Sequence, residues 1–296
     1  MSHALTVVAN DAPTLRQALA RLAAPVEGAG AVVEDQRALG DAAADLRLAL
    51  VDPAPIKAAV EAALAGLAVD FCLQPWEGRR KQLLIADMDS TIIGCECLDE
   101  LADFAGVKAQ VSAITERAMR GEIGFEGALR ERVAMLKDLP LSALDECYAA
   151  RVRLNLGAAS LVATMAAGGA RCLLVSGGFR FFTGRVAQAA GFHDHRANTL
   201  IEAGDRLTGT VGEPILGREA KLAALIEEAA ALGLDLSQTL AVGDGANDLA
   251  MIEAAGLGVA YRAKPVVAAQ ADARINHADL TALLYFQGYS SSELRG

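Results

Sequence analysis

Leu83-Leu84-Ile85-Ala86-Asp87-Met88-Asp89-Ser90-Thr91-Ile92-Ile93-Gly94 is the stretch on which the fold turns. Leu83 to Ala86 have the length and composition of a strand, and a continuous apolar run of this kind belongs in a parallel sheet covered on both faces. The run ends abruptly in Asp87, and Asp89 follows two residues later. A desolvated carboxylate is costly unless it is paired or bound to a metal, so two of them at a buried strand end call for a function. With the backbone extended through Met88, the period of two turns both carboxylates to one side. Such a pair suits a divalent cation, nucleophilic attack or proton transfer, and these residues alone leave the three open.

Two further strand ends carry polar turns. Cys172 to Val175 leads into Ser176-Gly177-Gly178-Phe179, where glycine lets the backbone approach closely and aim N–H groups at an anion. Thr239 to Val242 leads into Gly243-Asp244-Gly245-Ala246-Asn247-Asp248, whose oxygen donors suit magnesium with a phosphate. Lys221 stands near the start of a predicted helix reaching Ala231, and beside a phosphate site it supplies the cation an acidic protein needs. Gly256 to Tyr261 and Ala273 to Asn276 read as further strands, and 199–202 with 207–211 as a hairpin. Strands alternating with helices predict a parallel α/β sheet.

After Gly94 the periodicity turns helical over 97–104, 111–119, 125–136 and 141–150. This predicts a helical insertion that covers the strand ends and excludes water. Taken singly, Glu96 and Arg132 read as solvated charges and Phe125 as core. Cys95 and Cys97 read as small buried hydrophobes, because no second cysteine or histidine pair completes a tetrahedral site. His193 and His195, flanking Asp194, read as surface residues of a loop.

Ahead of the acidic strand, strands at 4–9, 31–35, 46–51 and 69–73 and helices at 13–23 and 55–67 give the order βαββαβ. That is a split βαβ, or ferredoxin-like, unit. Its pattern resembles an ACT-type regulatory domain, and it reads equally as a ligand sensor or as a dimerising appendage. A homodimer is therefore one expected assembly. The polar connector Trp76-Glu77-Gly78-Arg79-Arg80-Lys81 marks the boundary. The expected division is an α+β unit over residues 1–74 and an α/β unit over 80–296, with the helical insertion at about 97–155.

The 296 residues carry a net charge of −10, with no basic run or basic amphipathic stretch. This argues against a nucleic-acid partner and against an anionic membrane surface. The five cysteines are an odd number without a disulfide framework and read as reduced thiols. Neither a signal segment nor an apolar run of about 18 residues is present, so a soluble, cytoplasmic protein is expected.

Asp87-x-Asp89-x-Thr91, the Ser176-Gly177-Gly178 turn, Lys221 and Gly243-Asp244-Gly245-x-Asn247-Asp248 follow one another in order. As an ordered set they resemble the haloacid-dehalogenase (HAD) superfamily of phosphotransferases, over about residues 80 to 288. The run from Asp87 to Glu96 and the placement of Arg132 are similar to a branch whose substrate is O-phosphoserine. The resemblance implies a Rossmann-like parallel sheet with a helical cap, and magnesium-dependent hydrolysis through an aspartyl-phosphate. It makes Asp87 the nucleophile and Asp89 the acid and base. Asp87, the carbonyl of Asp89 and Asp244 would hold Mg2+, supported by Thr91 and Asp248. Ser176, Gly177, Lys221 and Asn247 would meet the phosphoryl group. Glu96 would face the substrate ammonium and Arg132 its carboxylate, with Met119 and Phe125 walling the pocket. Two other readings stay open: a phosphatase or phosphotransferase for another small phosphomonoester, and an amino-acid-sensing regulator with an inactive body.

Overall fold

The computed structural model describes residues 2–119 and 122–296, and the side chain of Met119 lies outside the described residues. The chain opens with β1 (Ser2–Ala9), α1 (Ala12–Gly28), β2 (Val32–Gly40), β3 (Ala43–Ala49), α2 (Pro53–Leu64) and β4 (Val69–Pro75). The four strands pair antiparallel in the order β2-β3-β1-β4. The helices expected over 13–23 and 55–67 begin at Ala12 and Pro53, each capped by an aspartate. Asp11 accepts from the Thr14 N–H at 2.6 Å and Asp52 from the Ala54 N–H at 3.0 Å, and a proline in each first turn has no N–H to leave unpaired. Leu15, Leu22, Ile56 and Val60 pack on Leu5, Val7, Leu46 and Leu48 of the sheet. The opposite face meets the rest of the chain, to which Asp70 ties it. Its carboxylate accepts from the N–H groups of Asn276, His277 and Ala278 at 2.8, 3.0 and 2.8 Å.

The second sheet contains β5 (Leu83–Ala86), β6 (Arg171–Phe179), β7 (Asp194–Asn198), β10 (Thr239–Gly243), β11 (Leu257–Tyr261) and β12 (Ala273–Ile275). A hairpin of β8 (Leu200–Ala203) and β9 (Arg206–Val211) stands apart from it. All six strands run parallel in the order β12-β11-β10-β5-β6-β7. Along β5 the side chains alternate between two cores, Leu84 and Ala86 on one face and Leu83 and Ile85 on the other. That is why the run carries no polar residue until it ends. The register sets Ala86 beside Leu174 of β6 and Val242 of β10. The polar turns read from the sequence therefore open side by side at the carboxyl edge of the sheet.

Four helices follow β5 as the insertion: α3 (Cys97–Phe104), α4 (Lys108–Met119), α5 (Phe125–Ala134) and α6 (Ser142–Arg151). The chain leaves and re-enters the body at one place, where Ile93 bridges Leu154 and the Asn155 N–H donates to the Ile92 carbonyl at 2.9 Å. The β8–β9 hairpin braces this cap, with Asp138 N–H on the Leu207 carbonyl and Leu207 N–H on the Leu139 carbonyl, both at 2.9 Å. Helices α7 (Ala158–Ala167), α8 (Arg180–Ala190), α9 (Arg218–Leu232) and α10 (Leu249–Ala254) cover the parallel sheet.

One expectation is corrected. His195 lies in strand β7, with Nδ1 2.8 Å from Thr183 Oγ1. His193 is exposed, yet its Nδ1 accepts the Cys172 N–H at 3.0 Å. Asp194-His195-Arg196-Ala197-Asn198 is the edge strand of its sheet, and an edge strand can be polar without losing its pairing. The apolar run that marks the central strands is therefore missing. Among the described residues, no helix is long and apolar enough to cross a membrane.

Candidate active site

Asp87 leaves β5 in extended conformation, and its N–H still bonds to the Val242 carbonyl at 3.0 Å. Met88 points into the core and Asp89 is again extended, so both carboxylates turn to the same side, as the period of two requires. Ser90 follows at φ 57°, a left-handed conformation that costs energy in a non-glycine residue. Its hydroxyl donates to Glu96 Oε1 at 2.6 Å, fixing the first residue of the cap that faces the strand end.

Lys221 approaches Asp87 from α9. Its Nζ lies 2.5 Å from Asp87 Oδ1 and 2.5 Å from Asp248 Oδ1, and its side chain is only 2% exposed. Asp248 spends its other oxygen on the Gly245 N–H at 2.9 Å. Asp244 has the Thr91 hydroxyl at 3.3 Å. Burial, then the Asp248 charge, raises the Asp87 carboxyl well above the usual range, while Lys221 opposes both. Burial alone would lower Lys221, but Asp87 and Asp248 more than reverse this and raise it. Burial with the neighbouring Asp248 and Glu96 charges pushes Asp244 up to about 6.

Asp89 faces a different environment. Oδ1 accepts the Cys97 N–H at 2.9 Å, and Oδ2 accepts the Ser176 hydroxyl at 3.1 Å. Burial and then the Glu96 charge push it up to about 6, against the pull of these donors. Ser176 Oγ also accepts the Gly178 N–H at 2.8 Å; Ser176-Gly177-Gly178, expected as a turn, is the irregular end of β6, where the pairing with β7 shifts register between Val175 and Phe179. A Cβ on Gly178 would stand 3.0 Å from both Asp89 Oδ2 and Ser176 Oγ, so glycine is required for this approach.

Above these groups lies a cavity of about 730 Å³ between strand ends and cap. Asp87, Asp89, Ser176, Gly177, Asp244 and Asn247 line its floor, and Glu96, Phe125 and Arg132 line its cap side. Lys221 is absent from that lining and reaches Asp87 from behind it. Arg132 Nε donates to the Ala128 carbonyl at 3.2 Å. Its burial lowers the guanidinium from its ordinary value, and the Asp99 and Glu96 charges pull it back. The sequence-predicted residues with described side chains thus meet in one place. Met119 was predicted to wall the pocket, and its side chain lies outside the described residues.

The donor chemistry fits a small hard dication. Asp87, Asp244 and Asp248 each offer a carboxylate oxygen within 4.8 Å of the others. A single buried cation, Lys221, balances them, and oxygen donors of this type suit magnesium. Since Asp248 already serves Lys221 and Gly245 N–H, Asp87 and Asp244 are the carboxylates with capacity to spare.

Several contributors escaped the sequence reading. Asn198 is 2% exposed, and its Nδ2 donates to the Gly177 carbonyl at 2.9 Å and the Leu216 carbonyl at 3.2 Å. Its Oδ1 accepts the Leu216 N–H at 2.7 Å, so one side chain ties the Ser-Gly-Gly strand end to the segment entering α9. Asn155 donates to the Thr91 carbonyl at 2.8 Å. Asp99, Arg218 and Lys264 line the cavity from three separate elements. None of these lies in a motif, and single polar residues at strand ends, in loops and in the first turns of helices carry no periodic signal.

This is the geometry of a hydrolase with an acidic strand end beneath a cap. The model of the haloacid dehalogenase-like hydrolase family matches residues 84–253, and the chain belongs to that family. Within it, the chain sits among phosphoserine phosphatases. It is 49% identical over 208 residues to the phosphoserine phosphatase of Polaromonas sp., covering 69% of this chain and 88% of that one. A HAD family hydrolase from Salmonella enterica serovar Typhi superposes with a TM-score of 0.83 at 29% identity, covering 97% of this chain and 98% of that chain. A substrate-bound phosphoserine phosphatase complex superposes with a TM-score of 0.65 at 37% identity, over 70% of this chain and 98% of that chain.

Proposed function

We propose that the chain hydrolyses O-phosphoserine to serine and phosphate, with Asp87 as nucleophile and Mg2+ as cofactor. The observation that carries this reading is the placement of Glu96 and Arg132 on the cap side of the cavity whose floor holds Asp87 and Asp89. A phosphoryl site alone is generic. An anion and a guanidinium facing it select an α-ammonium and an α-carboxylate, the latter through a bidentate pair.

Asp87 and Asp244, with the backbone carbonyl of Asp89, would hold Mg2+. When bound, the ion neutralises phosphate oxygens and fixes the in-line geometry that a carboxylate needs to attack an anion. Asp87 forms the bond to phosphorus as the seryl oxygen leaves, giving an aspartyl-phosphate. Lys221 holds the orientation of Asp87 through Oδ1 and leaves Oδ2 for attack. Asp89, with a raised carboxyl pKa, supplies the proton to the leaving oxygen and then takes one from the water that opens the intermediate. Ser176, the Gly177 N–H and Asn247 stand around the position of the phosphoryl group and bind its oxygens.

In this reading residues 1–74 form a separate ACT-type unit, the cap spans about residues 97–155, and the enzyme closes the synthesis of serine in the cytoplasm. The five free cysteines support a reducing compartment.

The test is a panel of phosphomonoesters with and without Mg2+, repeated with Arg132→Ala. Phosphoserine turnover should require the ion and fall in the variant, while phosphoethanolamine, which lacks the carboxylate, should be little affected. Equal losses on both substrates would remove the carboxylate role of Arg132. Unselective turnover by the unaltered chain would favour a phosphatase for other small phosphomonoesters.

A further inference from the structure

A second polar cavity, of about 320 Å³, lies where the N-terminal sheet joins the body, lined by Arg37, Trp76, Arg79, Arg80, Gln287 and Gly288 together with Gly78. Three guanidinium groups converge there. Arg37 Nη2 and Arg80 Nη2 each lie 3.4 Å from the Gly288 carbonyl oxygen. Arg79 lies beneath the same residue, so close that a Cβ on Gly288 would stand 2.6 Å from its Cζ. The Trp76 ring meets Arg79 at 4.4 Å and Arg37 at 5.9 Å from its centroid.

The anions present do not satisfy this cluster. Asp45 is buried, and its Oδ2 serves both Arg79 at 2.7 Å and Arg37 at 3.1 Å. Its Oδ1 is taken by the Thr6 hydroxyl at 2.7 Å. Glu293 pairs with Arg80 at 2.7 Å on the exposed side. Arg79 is 7% exposed, and its Nη1 is buried with no hydrogen-bond partner among the described residues. An unpaired donor on a buried charged group costs more than a neutral one. Two carboxylates, Asp45 and Glu293, leave the three guanidinium charges one short of balance.

We propose that this joint is a binding site for a tetrahedral oxyanion of the phosphate class. Such an ion has enough oxygens to serve several guanidinium forks at once, each by charge-assisted bonds. The cavity is distinct from the catalytic one, with no lining residue in common. Its occupant would join β2, through Arg37, to the connector that leads into β5 and to the Gln287–Gly288 turn. Gln287 Oε1 already accepts the Lys81 N–H at 2.9 Å, two residues before β5 begins.

Trp76 is the single tryptophan of the chain, so its emission reports on this cavity. The experiment is titration of inorganic phosphate into the full chain in the presence of chelator at constant ionic strength, read by Trp76 fluorescence. A saturable change, reproduced by sulfate, is expected. Arg37→Gln and Arg80→Gln, whose side chains are about half exposed and should fold, are expected to weaken it about tenfold each. An equal response to chloride overturns the site, as does an affinity that neither variant changes. A response to acetate or serine without one to phosphate overturns the assignment to a tetrahedral ion.

Discussion

Replacing Lys221 by methionine removes the single cation between two buried carboxylates while keeping most of the apolar stem. Lys221 is 2% exposed, Asp87 5% and Asp248 0%, so the charges left behind are largely desolvated. Taking one partner out of a buried, hydrogen-bonded ion pair typically costs about 3–5 kcal/mol, because the charge left behind is uncompensated. Here two charges are left. The Asp87 carboxyl, already raised by burial and the Asp248 charge, rises further above the unfolded value of about 3.9 once Lys221 no longer opposes them. The folded variant therefore holds more protons than its unfolded chain, and its stability falls as pH rises. The deficit should reach about 3–5 kcal/mol at about pH 8 and shrink towards about pH 4. Urea unfolding followed by circular dichroism at both pH values measures it. Asp248→Asn in the same chain should recover part of the loss. A deficit below about 1 kcal/mol at the higher pH, the size of a surface pair, would refute the argument.

Asn198→Ala leaves the Gly177 carbonyl and both Leu216 backbone groups without their partner, so kcat/KM on phosphoserine should fall about tenfold or more. Unchanged steady-state kinetics would show that the strand end holds itself. Asp70→Ala strips three backbone N–H groups at 276–278, and hydrogen exchange there should accelerate. Protection equal to that of the unaltered chain would contradict this account of the joint. The Ser290 N–H, then Arg80, hold the Glu293 carboxyl down at about 2, so its contribution is complete above the unfolded value and lost as pH falls through the folded one. Glu293→Gln should therefore lower Tm slightly at neutral pH, by a degree or two at this exposed site, with the gap closing between about pH 4.5 and about pH 2. A gap independent of pH would contradict the sign.

The fold was legible where side-chain burial repeats along an element. Leu83 to Ala86 face two cores and read as a central strand, and the βαββαβ order emerges from alternating strand-like runs and helical spacing. Strand β7 was not legible, since an edge strand such as Asp194–Asn198 owes its place to one neighbour and can be polar. The same holds for the site. Residues at strand ends declare themselves because a carboxylate after a buried run has no structural excuse. Asn198, Asp99, Arg218 and Lys264 depend on which strand end, helix starts and loop the topology brings together, and their spacing in sequence carries no trace of it. The convergence of Arg37, Arg79 and Arg80 was hidden for that reason too, as Gly288 lies more than 200 positions away.

The central claim is that the phosphoryl group passes through Asp87. Brief incubation of the full chain with Mg2+ and O-phosphoserine radiolabelled on phosphorus, acid quenching and peptide mapping tests it directly. The account predicts acid-stable label on the peptide carrying Asp87, lost on hydroxylamine treatment and absent from Asp87→Asn. Release of labelled phosphate by the Asp87→Asn chain at the unaltered rate, or label on any other residue, would contradict it.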